Sequence, residues 1–229
     1  MNPANDAIVR IEHVSKVYKK GNVEVHALQD IDLEIRKGEF TALVGPSGSG
    51  KTTLLNLIGG LDTASEGKIW VGDQEIGALS ASQLSDLRLR KIGFVFQEYN
   101  LIPVLSALEN VEYVMLLQGV PSDERRERSL AVLSELGLKG MEHRRPNELS
   151  GGQQQRVAVA RAIVSEPLIV LPDEPTANLD SVAGAALLDL MRKLNETKGT
   201  TFVFSTHDSM VMQRAKRIVH LHDGRIVSQ

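Results

Sequence analysis

Residues 40–58 read Phe40-Thr-Ala-Leu-Val44, then Gly45-Pro-Ser-Gly-Ser-Gly50-Lys51-Thr52-Thr53, then Leu54-Leu55-Asn56-Leu57-Ile58. The first run is short and apolar, as a buried strand should be. The last reads as a helix. Between them stand three glycines and a Lys-Thr pair. Strand, glycine-rich loop, Lys-Thr, helix is the phosphate-binding P-loop in the context it requires. Glycine lets the backbone curl so that several N–H groups face one anion. The helix start adds the positive end of its dipole. Gly45, Ser47, Gly48, Ser49, Gly50, Lys51, Thr52 and Thr53 are therefore expected to surround a nucleotide's phosphates. Lys51 supplies charge to the β- and γ-phosphates, and the Thr52 hydroxyl suits Mg²⁺.

The 229 residues suffice for one large domain, and 42% apolar content is enough for a proper core. A net charge of −3 gives no basic surface for nucleic acid, so no such partner is expected. There is no cysteine, which excludes disulfides and thiolate metal sites and fits a reducing compartment. Met1-Asn-Pro-Ala-Asn-Asp6 lacks the basic-then-apolar pattern of a signal peptide. Apolar runs such as Leu168-Ile-Val-Leu171 fall far short of the ~20 residues that span a bilayer. A soluble, cytoplasmic chain is expected, with any membrane role borrowed from a partner.

Around the P-loop the chain alternates strand and helix signals. Ile8–Val14 and Leu28–Ile35 alternate as strands, Lys68–Val71 with Gly72-Asp73 reads as a hairpin, and Ile92–Phe96 is a short buried strand. Residues from about 98 to 166 read helical, with Ser106-Ala-Leu-Glu109 as a capping box and Leu130, Leu133 and Leu136 on one face. Leu168–Leu171 is a central strand. Asp180 caps a helix that Gly199 ends, and Thr201–Phe204 and Arg217–Leu221 complete a parallel core. The pattern is α/β with a helical insertion between two core strands.

Two further motifs carry chemistry. Leu168-Ile-Val-Leu-Pro-Asp173-Glu174 is an apolar strand ending in two carboxylates. Beside a P-loop, such an Asp holds the metal directly or through water. Glu174 is expected to point the other way along the pleat, toward a water in line with the γ-phosphate. Leu149-Ser150-Gly151-Gly152-Gln153 precedes a helix expected over Gln154–Ser165. Ser-x-x-Gln is itself a capping box. The glycine pair also bares N–H groups to a phosphate, as a second γ-phosphate site would. A second site makes sense if it serves a neighbouring subunit.

P-loop, Gln97 after a strand, Leu-Ser-Gly-Gly-Gln, Asp-Glu, Asn178-Leu-Asp180 and Ser205-Thr-His207 occur in the order of the ATP-binding-cassette (ABC) ATPases, which the whole chain resembles. The resemblance implies a single domain over 1–229. It would be a P-loop NTPase core of mainly parallel strands with an antiparallel β subdomain (about 1–97 and 167–229), and a helical subdomain with the signature motif (about 98–166). It implies a head-to-tail homodimer formed on ATP binding. Each ATP would lie between the P-loop of one subunit and Ser150, Gly151, Gly152 and Gln153 of the other. Gln97 resembles the glutamine that senses Mg²⁺ and the membrane partner, and His207 the histidine that contacts the γ-phosphate. Asp180 resembles the aspartate that crosses the dimer, and Tyr18 the aromatic that stacks on adenine. Glu174, His207 and Gln97 are thus the catalytic candidates, and Thr52, Gln97 and Asp173 the Mg²⁺ candidates. Pro172 departs from the family, which usually has a small residue such as Ala before the Asp. Proline lacks an N–H and removes one ladder bond.

Gly59-Gly-Leu-Asp62, Leu87–Phe96, Tyr99-Asn-Leu-Ile-Pro103 and Ala107-Leu-Glu-Asn110 resemble the lipoprotein-releasing and macrolide-exporting group. That group implies an ATPase subunit peripheral on the inner face of the cell membrane. It would drive a separate integral membrane permease through the stretch around Tyr99–Leu117. The alternatives are a cell-division ATPase acting on peptidoglycan enzymes through a membrane protein, or a soluble non-transport ATPase.

Overall fold

The computed structural model describes residues 6–21 and 23–229. Of the stretch Met1–Asp6, read above for a signal peptide, only Asp6 is among them. The chain runs β1 (Ala7–Lys20), β2 (Val23–Arg36), β3 (Phe40–Val44), α1 (Lys51–Ile58), β4 (Glu66–Val71), β5 (Gln74–Glu75), α2 (Ala81–Lys91) and β6 (Ile92–Val95). It continues through α3 (Ala107–Leu117), α4 (Ser122–Glu135), α5 (Gly151–Ile163), β7 (Ile169–Pro172) and α6 (Ser181–Lys198). It closes with β8 (Phe202–Thr206), α7 (Ser209–Arg214), β9 (Arg217–His222) and β10 (Arg225–Ser228).

The strands form two sheets. The larger has the order β10-β9-β3-β8-β7-β6; β9, β3, β8, β7 and β6 are parallel, and β10 is an antiparallel edge. The smaller, β2-β1-β4-β5, is antiparallel throughout. This is the expected P-loop α/β fold with its antiparallel β and helical parts.

The parallel strands read as unbroken apolar runs because both faces are covered. Alternate side chains of β3, β7 and β8 enter different cores. Phe40, Ala42, Val44, Val170, Phe202 and Phe204 pack with α3–α6 on one face. Leu43, Ile169, Leu171 and Val203 pack with α1 and the antiparallel sheet on the other. Phe40 stands 4.7 Å from Phe204 and 5.5 Å from Phe202, ring centre to ring centre. All three are fully buried, at about 2–3 kcal/mol of transfer free energy each.

Three local features differ from the sequence reading. Helix α2 lies ahead of the expected helical region, opened by a capping box between Ser80 and Gln83; only Leu87 of it is buried, so it shows almost no apolar period. Helix α5 begins at Gly151 rather than Gln154, because the Ser150–Gln153 capping box fixes the N-cap at Ser150. Glu174 has φ 47° and so leaves the pleat; its direction comes from a turn, not from strand alternation. Pro172 behaves as its chemistry requires. Val170 N–H donates to Thr201 and Glu174 N–H to Ser205, and the β7–β8 ladder is broken between them, at Pro172.

Candidate functional site

The parallel arrangement brings the carboxyl ends of β3, β6, β7 and β8 to one edge, where α/β sheets place ligands. The loop Gly45–Gly50 leaves β3 and turns into α1. Gly50 is the N-cap of α1, with φ 100°, a conformation that suits only glycine. A Cβ on Gly45 would lie 2.1 Å from the Leu221 carbonyl oxygen. The close fit of the loop against β9 therefore requires glycine there.

Lys51 is 6% exposed. Its Nζ donates to the carbonyls of Gly45 at 2.8 Å and Pro46 at 3.0 Å, and among the described residues no carboxylate pairs with it. A buried ammonium held only by neutral carbonyls keeps its charge available for an anion. The Thr52 hydroxyl donates to Asp173 Oδ1 at 3.1 Å, across 121 positions of sequence. These are hard oxygen donors side by side, the set that Mg²⁺ prefers.

Glu174 is half-buried at the same edge. Its Oε1 lies 2.7 Å from His207 Nδ1, and its Oε2 accepts from the Thr206 hydroxyl at 3.3 Å. Consecutive residues thus diverge, Asp173 toward Thr52 and Glu174 toward His207. A cavity of about 590 Å³ lies among the P-loop residues Pro46–Gly48 and Gly50–Thr53, Val25–Ala27 of β2, Gln97, Glu174 and His207; Gly45, Ser49 and Asp173 are not in its lining.

Tyr18 stands on β1 opposite Val25 and is not part of that lining. Its hydroxyl donates to Asp62 Oδ2 at 2.7 Å, and the Lys16 ammonium lies 4.8 Å from its ring centre.

Ser150, Gly151, Gly152, Gln153 and Asp180 do not line the cavity either. The exposed Ser150 accepts from Gln153 N–H and caps α5. Asp180 accepts from Val182 and Ala183 N–H and caps α6. The two starts are neighbours: a Cβ on Gly152 would meet Ala183 Cβ at 3.4 Å. So the chain carries two separate groups of candidate residues, one around the P-loop and one where α5 and α6 begin.

Three residues to which the sequence assigned no role tie these groups together. Gln155, fully buried on α5, donates to Pro175 at 2.9 Å, just past the paired carboxylates. Asn178 Nδ2 donates to the Gln97 carbonyl at 3.0 Å. Arg161 donates to the carbonyls of Tyr99 and Asn100, both in left-handed conformations, and burial lowers its pKa. Their signal is long-range contact to backbone carbonyls, which no local pattern contains.

A profile described as ABC transporter matches residues 28–177. The chain is 47% identical over 219 residues to an uncharacterised ABC transporter ATP-binding protein of Thermotoga maritima, covering 96% of this chain and 93% of that protein. It is 45% identical over 221 residues to the macrolide export ATP-binding/permease protein MacB of Escherichia coli, covering 96% of this chain but only 34% of MacB. Among solved structures, a dimeric post-hydrolysis state of the ATP-binding cassette MJ0796, bound to ADP and Pi, superposes with TM-score 0.88. The identity is 44%, over 96% of this chain and 97% of that one.

Proposed function

The chain belongs to the ABC transporter family of ATPases, and on that premise we propose that two copies enclose ATP and turn its hydrolysis into movement of a separate membrane protein. One observation carries this reading. Lys51, Thr52, Glu174 and His207 line one cavity, with Asp173 bonded to Thr52 at its edge, whereas Ser150–Gln153 and Asp180 stand together outside it. A second copy, placed head to tail, supplies the second group to the first copy's phosphates.

The chemistry follows from the donors. The P-loop N–H groups and Lys51 bind the β- and γ-phosphates. Thr52 and Asp173, with the Gln97 amide oxygen, hold Mg²⁺, which neutralises developing phosphate charge when bound. Glu174 accepts a proton from the attacking water. His207 keeps the Glu174 carboxylate aimed, and it is placed to meet the γ-phosphate. Ser150 and the bare N–H groups of Gly151 and Gly152 close the shell from the partner copy.

No described helix is long and apolar enough to cross a membrane. The membrane partner is instead met from the side, at the cytoplasmic face. Val104, Tyr113, Leu116, Leu117 and Leu61 are large, apolar and exposed. Of these, Leu61 lines a groove of about 360 Å³ beside β6, together with Leu89, Phe94, Phe96 and Val114 of α3. Such a patch marks a docking surface, and Arg161 connects its floor to the loop after Gln97.

The test is hydrolysis of Mg·ATP by the purified chain, with Glu174→Gln expected to bind ATP and elute as a stable dimer. A monomer at saturating ATP in that variant overturns the shared-site reading.

A further inference from the structure

Tyr18 is 41% exposed on a strand, and an exposed ring free to change rotamer makes a poor stacking surface. It is not free. Its hydroxyl donates to Asp62 Oδ2 at 2.7 Å, while Asp62 Oδ1 accepts from Lys16 Nζ at 2.6 Å and from Thr63 N–H at 2.7 Å. Lys16 is largely buried and donates also to the Thr63 carbonyl at 2.7 Å. The carboxylate therefore accepts from three donors, across both of its oxygens. Burial alone would raise its pKa, but the Lys16, Tyr18 and Thr63 hydrogen bonds outweigh that and hold it below the ordinary range.

Asp62 also belongs mechanically to the P-loop helix. The N–H groups of Leu61 and Asp62 both donate to the Asn56 carbonyl in the last turns of α1. The ring is thus tied to the element that starts at Lys51, and its strand partner Val25 is a wall of the phosphate cavity. The Lys16 ammonium, 4.8 Å from the ring centre, occupies one face through a cation–π contact. Only the opposite face remains for another flat group.

We propose that Asp62, held by Lys16, is a positioning residue that locks Tyr18 into a one-sided platform for the nucleotide base, at a fixed distance from the P-loop. The proposal rests on the reading of the cavity as the triphosphate site. It makes base recognition depend on a carboxylate that touches neither base nor phosphate.

The experiment titrates the purified chain by calorimetry with Mg·ATP and, separately, with Mg·tripolyphosphate, which has phosphates and no base. Tyr18→Phe keeps the ring and removes the anchor. It should weaken ATP binding about three- to tenfold, the worth of one hydrogen bond, and leave tripolyphosphate affinity unchanged. Asp62→Asn should do the same. In turnover, both should raise KM and recover the parent kcat at saturating ATP. Tyr18→Ala removes the platform and should lose more ATP affinity than either. If Tyr18→Ala alone loses ATP affinity, the platform stands and the Asp62 anchor is overturned. Equal losses for ATP and tripolyphosphate in Tyr18→Phe and Asp62→Asn overturn it too, since the P-loop itself would then have been disturbed. Parent affinity in all three variants overturns both the anchor and the platform. Failure of even the parent chain to bind tripolyphosphate would instead count against the triphosphate reading of the cavity, and the anchor with it.

Discussion

The imidazole Nδ1 of His207 lies 2.7 Å from Oε1 of Glu174, joining the ends of two parallel strands at the half-buried carboxylate. The contact fixes the direction of the Glu174 carboxylate, the proposed base. Glu174→Gln keeps the shape and removes the proton acceptor. Its kcat should fall about 10²–10⁴-fold, the usual contribution of a positioned base, with ATP binding retained. Near-parent turnover would show that Glu174 is not the base.

Lys51→Ala removes the side-chain ammonium proposed to meet the phosphates. Hydrogen bonds to charged groups contribute about 1.5–3 kcal/mol, so ATP affinity should drop about ten- to a hundredfold. Calorimetry reads this directly, and an unchanged Kd would remove Lys51 from the site.

Two loop glycines should respond differently to alanine. At Gly45 the added carbon meets the Leu221 carbonyl at 2.1 Å, and that carbonyl is backbone of the paired strand β9. The loss should be about 3 kcal/mol, the upper range for over-packing. At Gly48 nothing lies within 4 Å, and only φ +81° opposes a side chain, for about 1–2 kcal/mol. Thermal melting of the two variants should therefore rank Gly45→Ala well below Gly48→Ala. Equal melting temperatures would contradict the close approach.

Lys51→Ala and Ser150→Arg damage different halves of the proposed composite site. Ser150→Arg loses the α5 cap, at about 1 kcal/mol, and puts a bulky cation where the helix start must meet phosphate. Each variant alone should be inactive. In the mixed dimer one site joins the intact P-loop of one copy to the intact helix start of the other, so mixing should restore ATP binding there. No restoration at any ratio would argue for a site complete within one chain.

His13 gives a pH reading unconnected to catalysis. The hydrogen bond to Asp30 at 3.0 Å and the charge of Asp32 raise its pKa above the ordinary 6.5. A raised folded-state pKa contributes stability that is complete below the unfolded pKa and disappears as pH rises through the folded one. Ring-proton NMR should place His13 above a free histidine, and Asp30→Asn should lower it. An unmoved midpoint in Asp30→Asn would refute the pairing.

The fold was legible because its strongest signals are local. The run Phe40–Val44, the P-loop and the carboxylates after Leu171 each announce a strand end, and strands flanked by helices pair in parallel. The Asp180 cap and the Gly199 stop on α6 stood in the sequence as they stand in the structure. Helix α2 was not legible, since a helix burying one leucine has no period to detect. Nor were Gln155, Arg161 and Asn178, whose partners are main-chain carbonyls 20 to 81 positions away. Tyr18 lay between: the sequence named the ring, but Asp62 becomes its neighbour only when β1 passes the end of α1.

The strands β3, β7 and β8 send alternate side chains into both apolar clusters. Neither cluster closes without them, so the helical lobe and the antiparallel sheet share one spine. The chain should therefore melt in a single calorimetric transition, and neither lobe should survive as a protease-resistant fragment. Inheritance follows the same line. A substitution at Phe202 reaches the helical side and one at its neighbour Val203 the antiparallel side, so adjacent positions of one strand constrain both lobes, whereas the lobes' outer surfaces are free to diverge and to fit new membrane partners.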